Sequence, residues 1–166
     1  LVTGASGGVG SAAVDLLRLR GVKVYALTHP SKSGRLEDDP DITTVDRLQP
    51  LSETLGDSSL DGVIDVVGGS LFPSLLNALK PRGRIAMAGA SGGPIVPLDL
   101  RTVYLKDLTL YGCTIPPEGL FSKLIQIIES GHLTPHVSAT FRLSELVTAQ
   151  ERFLTRSHLG KIVIKI

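Results

Sequence analysis

Near the start of the chain, Gly4-Ala5-Ser6-Gly7-Gly8-Val9-Gly10 has residue types and spacing suited to holding a phosphate. Read as A-x-G-x-x-G, the turn uses Ala5, Gly7 and Gly10. Ala5 stands where a first glycine is usual. Gly7 allows close backbone approach to a diphosphate, and Gly10 allows a helix to pack tightly on the preceding strand. The amides of Ser6, Gly7, Gly8 and Val9, at the positive end of the helix that follows, are expected to cradle the diphosphate. The implied chemistry is dinucleotide binding.

The end of the second strand bears on which dinucleotide. Binders of NAD usually carry Asp or Glu about 20 residues past the glycine motif, where it meets the ribose hydroxyls. Here the strand ends Ala26-Leu27-Thr28-His29 without a carboxylate, and Ser31, Lys32 and Arg35 follow. A hydroxyl and two cations suit a 2′-phosphate. With Thr28 at the strand end, these residues favour NADPH over NADH.

The elements that must position these residues alternate between strand and helix signals with short turns. That pattern implies a parallel sheet with crossover helices. Strands are expected near 1–4, 22–27, 42–46, 61–67, 82–88 and 107–113, and helices near 8–20, 31–38, 70–79, 99–105 and 118–130. Pro81 is expected to end the 70–79 helix. The alternation fits an α/β, doubly wound parallel sheet of the Rossmann type, in strand order 3-2-1-4-5-6. Residues 131–166 read as strand, helix and strand. They lie outside that pattern and are expected to return to a catalytic domain absent from this chain, leaving 1–130 as the dinucleotide-binding domain. The chain reaches the glycine turn after only three residues, which reads as missing upstream sequence.

Composition narrows the classes. The 166 residues suit one domain with a core, and the formal net charge of +1 argues against a phosphate-driven nucleic-acid binder. No apolar run approaches the roughly 20 residues of a membrane span, and no signal-peptide pattern is seen. With one cysteine, Cys113, a cytoplasmic protein is expected. No metal site is expected. His132 and His136 flank Pro135, which breaks any helix between them, and four ligands of suitable type do not assemble. Asp65, inside an apolar strand, reads as a buried carboxylate with backbone partners. The strand at 107–113 is an apolar edge, which invites pairing with another chain.

The same turn also fits T-G-x-x-x-G-x-G through Thr3, Gly4, Gly8 and Gly10, the pattern of short-chain dehydrogenases. Those enzymes set a lysine four residues after a catalytic tyrosine. Here His29, Leu108 and Ile115 stand four residues after Tyr25, Tyr104 and Tyr111, so that family is set aside.

The longer motifs resemble the medium-chain dehydrogenase/reductase superfamily, and within it the zinc-independent quinone oxidoreductase branch. They are the turn Val2 to Gly10, Asp61-Gly62-Val63-Ile64-Asp65-Val66-Val67-Gly68-Gly69, Gly83-Arg84 through Gly89, Leu108 to Gly112, and Gly160-Lys161-Ile162-Val163. The resemblance covers nearly the whole chain. It implies that Val67, Gly68 and Gly69 lie along the cofactor's ribose. Ala88 and Gly89 would approach the nicotinamide side, with Gly112 and Cys113 nearby. It implies an NADPH-dependent oxidoreductase that passes hydride to a quinone or an α,β-unsaturated carbonyl, with a small-molecule substrate and a homodimer formed through the edge strand. The catalytic residues are expected in the absent domain, so none is named. The alternatives are the cofactor domain of a zinc-dependent alcohol dehydrogenase and a non-catalytic dinucleotide-binding module.

Overall fold

The computed structural model describes residues 1–37, 39–155 and 157–166, with only the backbone described at Arg35 and Glu37. Six parallel strands form one sheet: β1 (Val2–Thr3), β2 (Val24–Thr28), β3 (Ile42–Asp46), β4 (Leu60–Asp65), β5 (Leu79–Met87) and β6 (Thr109–Gly112). Their spatial order is β3-β2-β1-β4-β5-β6, as the alternation predicts. The connecting helices are α1 (Gly8–Arg18), α2 (Gly34–Glu37), α3 (Leu51–Thr54), α4 (Phe72–Ala78), α5 (Leu100–Leu105) and α6 (Leu120–Glu129).

Neighbouring residues on each central strand serve opposite faces of the sheet. Leu1 joins one apolar cluster with Leu27, Val63 and Leu75, while Val2 joins another with Val14, Val24 and Ala26. Because both faces are covered, the strands read as continuous apolar runs rather than as alternating ones. Two-residue β1 is held at the centre by β2 on one side and β4 on the other. Its residues Val2 and Thr3 are both fully buried.

Two local expectations are corrected. The helix expected near 70–79 stops at Ala78, and Pro81, expected as the residue that ends it, lies inside β5. Fully buried Leu79 pairs with Leu60 and draws the chain into the sheet early. The register then shifts between Leu60 and Gly62, and Arg82 takes a positive φ of 65°. This irregularity lets a residue without an N–H sit in the strand. The one-turn helix α3 was not expected either. It is too short to carry a periodic signal, and its start follows Pro50.

The tail forms a separate two-stranded parallel pair, β7 (Val137–Arg142) and β8 (Lys161–Lys165), joined through α7 (Leu146–Leu154). None of the α6 residues is buried, and Phe121, Val147 and Leu154 stand largely exposed. No helix among the described residues is long and apolar enough to cross a membrane.

Candidate dinucleotide site

The glycine turn leaves β1 at its carboxyl end and opens α1, beside the point where the strand order reverses. Gly4 supplies a left-handed φ of 57°, and the Ala5 amide donates to the Leu27 carbonyl at 3.2 Å. Thr28 donates to the Ser6 hydroxyl at 3.0 Å, tying the turn to the end of β2. Thr28, only 3% exposed, is therefore a brace for the turn rather than a surface hydroxyl. Gly10 has no room for a side chain. A Cβ there would lie 2.1 Å from the Gly4 carbonyl oxygen, so α1 packs directly on the turn.

One part of the expected cradle is turned inward. The Gly7 amide donates to the Gly4 oxygen at 2.9 Å, while Ser6 and the first three residues of α1, Gly8, Val9 and Gly10, keep their amides available to a ligand. The latter three open the helix without intrahelical acceptors, and none donates to another described backbone group. Gly7 occupies the N-cap position without a side-chain cap, and the first turn holds no acidic residue. The positive end of the helix is thus unneutralised by its own sequence.

A cation is nevertheless brought to this end. Gly160, at φ 77°, donates its amide to the Ser6 carbonyl at 3.1 Å and docks the tail on the turn. Lys161 then lies along Gly8. A Cβ at Gly8 would sit 3.2 Å from the Lys161 Nζ and 3.4 Å from its Cγ. An ammonium beside the amino end of a helix is unfavourable unless an anion lies between them.

At the end of β2, Pro30–Lys32 forms a single tight turn capped by His29, whose Nδ1 accepts the Ser31 amide at 3.2 Å. The Ser31 hydroxyl pairs with the same nitrogen at 2.8 Å. Lys32 is half-buried and makes no ion pair with another described residue. The Arg35 side chain lies outside the described residues.

The loop after β4 is built around Asp65, which is 1% exposed. Its Oδ1 accepts the Thr3 hydroxyl at 2.6 Å, the Val67 amide at 3.0 Å and the Gly68 amide at 3.1 Å. Thr3 in turn accepts the Val66 amide at 3.0 Å. The carboxylate therefore ties the glycine turn to the turn after β4, across the switch point. Buried Gly68 and Gly69 pack on the Ala90–Gly93 loop, where a Cβ at Gly69 would lie 2.5 Å from the Gly92 oxygen. A Cβ at Gly89 would lie 2.7 Å from the Val66 oxygen. Val67 is half-buried, and Ala88 and Gly89 are exposed after β5. Exposed Gly112 and Cys113 continue the row, with the Cys113 amide on the Met87 carbonyl at 2.9 Å. The expected residues thus gather along the carboxyl ends of five strands, where open parallel sheets bind ligands.

The family model described as zinc-binding dehydrogenase matches residues 40–164. The chain belongs to this family. It represents the cofactor-binding portion of the medium-chain dehydrogenase/reductase superfamily. A second model, the NAD-dependent epimerase/dehydratase family, matches residues 1–73, which hold the glycine turn. The acryloyl-coenzyme A reductase of Sulfurisphaera tokodaii is 28% identical over 99% of this chain and 50% of its own length. A crystal structure of a putative alcohol dehydrogenase from Sinorhizobium meliloti superposes with a TM-score of 0.90 at 42% identity, covering 98% of this chain and 46% of that one. The Bacillus subtilis protein YhfP, solved with NAD bound, superposes at 0.81 with 28% identity, over 99% of this chain and 53% of its own. The chain spans about half the length of these relatives.

For a zinc-binding dehydrogenase, the described residues gather no group of three or more His, Cys, Asp or Glu able to hold a metal. The site residue that sequence reasoning passed over is Lys161. Its signal was present in the closing Gly160-Lys161-Ile162-Val163 motif, but nothing in that spacing says that the tail folds back onto Gly8. A cavity of about 430 Å³ lies toward the amino ends of the strands, lined by residues that include Lys23, Tyr25 and Leu60.

Proposed function

We propose that this chain binds a nicotinamide dinucleotide, NADPH in preference to NADH. It would serve as the cofactor-binding part of an oxidoreductase acting on quinones or α,β-unsaturated carbonyls. The observation that carries this reading is the start of α1. Three amides there donate to no other described backbone group, no side-chain hydrogen bond caps the helix among the described residues, and Lys161 stands alongside. A diphosphate satisfies all of these groups together. The reductase named among the relatives and the NAD held by YhfP support the same reading.

In this reading Gly8, Val9, Gly10 and Lys161 hold the diphosphate, and Lys32 with Ser31 and Arg35 receives the 2′-phosphate. The Val67–Gly69 turn and Ala88–Gly89 border the ribose and the ring. A bound nicotinamide supplies hydride transfer; this chain's residues orient it and keep water from one side. Substrate would enter from beyond the carboxyl ends of the strands.

Titration with NADPH and NADH tests the cofactor. NADPH is expected to bind about tenfold more tightly, as one added ion pair with a phosphate implies. Lys32→Ala should remove most of that preference and leave NADH affinity unchanged. Equal affinity for the two dinucleotides in the wild type would refute the role given to Lys32.

We also propose a homodimer through β6, the edge of the six-stranded sheet, where Tyr111 is 47% exposed. Unpaired edge backbone readily adds another strand. Sedimentation at micromolar concentration should give twice the mass of one chain, and a monomer there would exclude this interface.

A further inference from the structure

Lys161 reaches Gly8 only if the tail is held against α1, and one contact outside the dinucleotide site does this. His136, just before β7, pairs through Nε2 with the Asp15 carboxylate at 2.8 Å. Both side chains are largely shielded, at 12% and 17% exposure. The His136 carbonyl accepts the Lys161 amide at 2.9 Å, and a Cβ at Gly160 would lie 2.5 Å from that carbonyl. His136 and the Gly160–Lys161 step are therefore in direct contact. On α1, Gly8 and Asp15 are seven residues apart and share a face. The tail is thus fixed to one face of α1 at two points, Asp15 and Gly8.

We propose that Asp15 and His136 act as a positioning pair that holds Lys161 at the diphosphate site. This rests on the dinucleotide reading above. The other described charged or titratable groups lining the clefts at His136 are Arg18, Asp39 and His132. Arg18 is engaged with Asp39, and His132 is held by Ser130 at 2.7 Å. Neither pairing involves Asp15.

The test is NAD⁺ binding to the whole chain by calorimetry, in a double-variant cycle with Lys161. His136→Gln and Asp15→Asn are each expected to weaken NAD⁺ binding about fivefold, the scale of one shielded polar contact, with circular dichroism unchanged. Lys161→Met should bind weakly, and adding His136→Gln or Asp15→Asn to it should weaken binding no further, because the pair acts through Lys161. If the Gln and Asn variants bind like the wild type, or weaken binding equally in the Lys161→Met protein, the positioning pair is overturned while the dinucleotide site stands. If the wild type binds neither NAD⁺ nor NADPH, the dinucleotide reading fails and this inference with it.

Discussion

Gly10→Ala is expected to lose dinucleotide binding by about 100-fold or more. The added methyl would lie 2.1 Å from the Gly4 oxygen, 2.7 Å from the Gly4 carbonyl carbon and 2.9 Å from the Ala5 Cα. All three atoms belong to the backbone of the turn, so no side chain can rotate away. The start of α1 must lift from the turn, and the Gly8, Val9 and Gly10 amides move with it. Loss of two charge-assisted amide contacts, each about 1.5–3 kcal/mol, gives the predicted drop in affinity. Overpacking of this kind also costs about 3 kcal/mol of stability, or a fall of about 10 °C in melting temperature for a chain of this size. Gly34→Ala is the control, since a methyl there meets nothing within 4 Å. Calorimetric NADPH titration and thermal melts of both variants decide the matter. A Gly10→Ala protein that binds like the wild type would remove the turn from the site.

The second large effect is expected at Asp65. Asp65→Ala leaves the Thr3 hydroxyl and the Val67 and Gly68 amides without their acceptor, in a place where Asp65 itself is 1% exposed. Each buried orphan costs about 1–3 kcal/mol, and a total of about 4 kcal/mol is expected after the relief of burying a charge. Asp65→Asn keeps one acceptor oxygen and should cost about half as much. Thr3→Ser, which preserves the hydroxyl, should be mild. Denaturant unfolding of Thr3→Val, Asp65→Ala and the double variant should give a coupling energy of about 1–3 kcal/mol, because the two side chains share one bond. Strict additivity would show that the network does not act as a unit. NADPH affinity should fall in step, since Asp65 ties β1, just before the glycine turn, to the Val66–Gly68 turn, and the proposed site uses both turns.

The pairing of Asp65 was legible before the structure, since a carboxylate inside Val63-Ile64-Asp65-Val66 can be buried only with partners. Its identity as the link between two turns was not. Thr3 and Asp65 share no local pattern, and only the alignment of β1 beside β4 brings them together. Thr28 shows the reverse case. Its position at the end of β2 set it among the expected cofactor residues, and only the structure shows its buried hydroxyl bonded to Ser6.

By itself the sequence determined the order and type of the main elements, the strand order of the sheet and the place of the glycine turn between β1 and α1. Those features rest on local rules: apolar periodicity within one element, glycine where backbone must approach backbone, and short connections that force crossovers. The tertiary structure alone decided that the Gly7 amide turns inward, that Pro81 lies within β5, and that Lys161 and His136 return to α1. The reason is physical. The Lys161 and His136 contacts join segments from opposite ends of the chain, and their energy depends on packing and on charges brought close in space, neither of which leaves a mark on residue spacing.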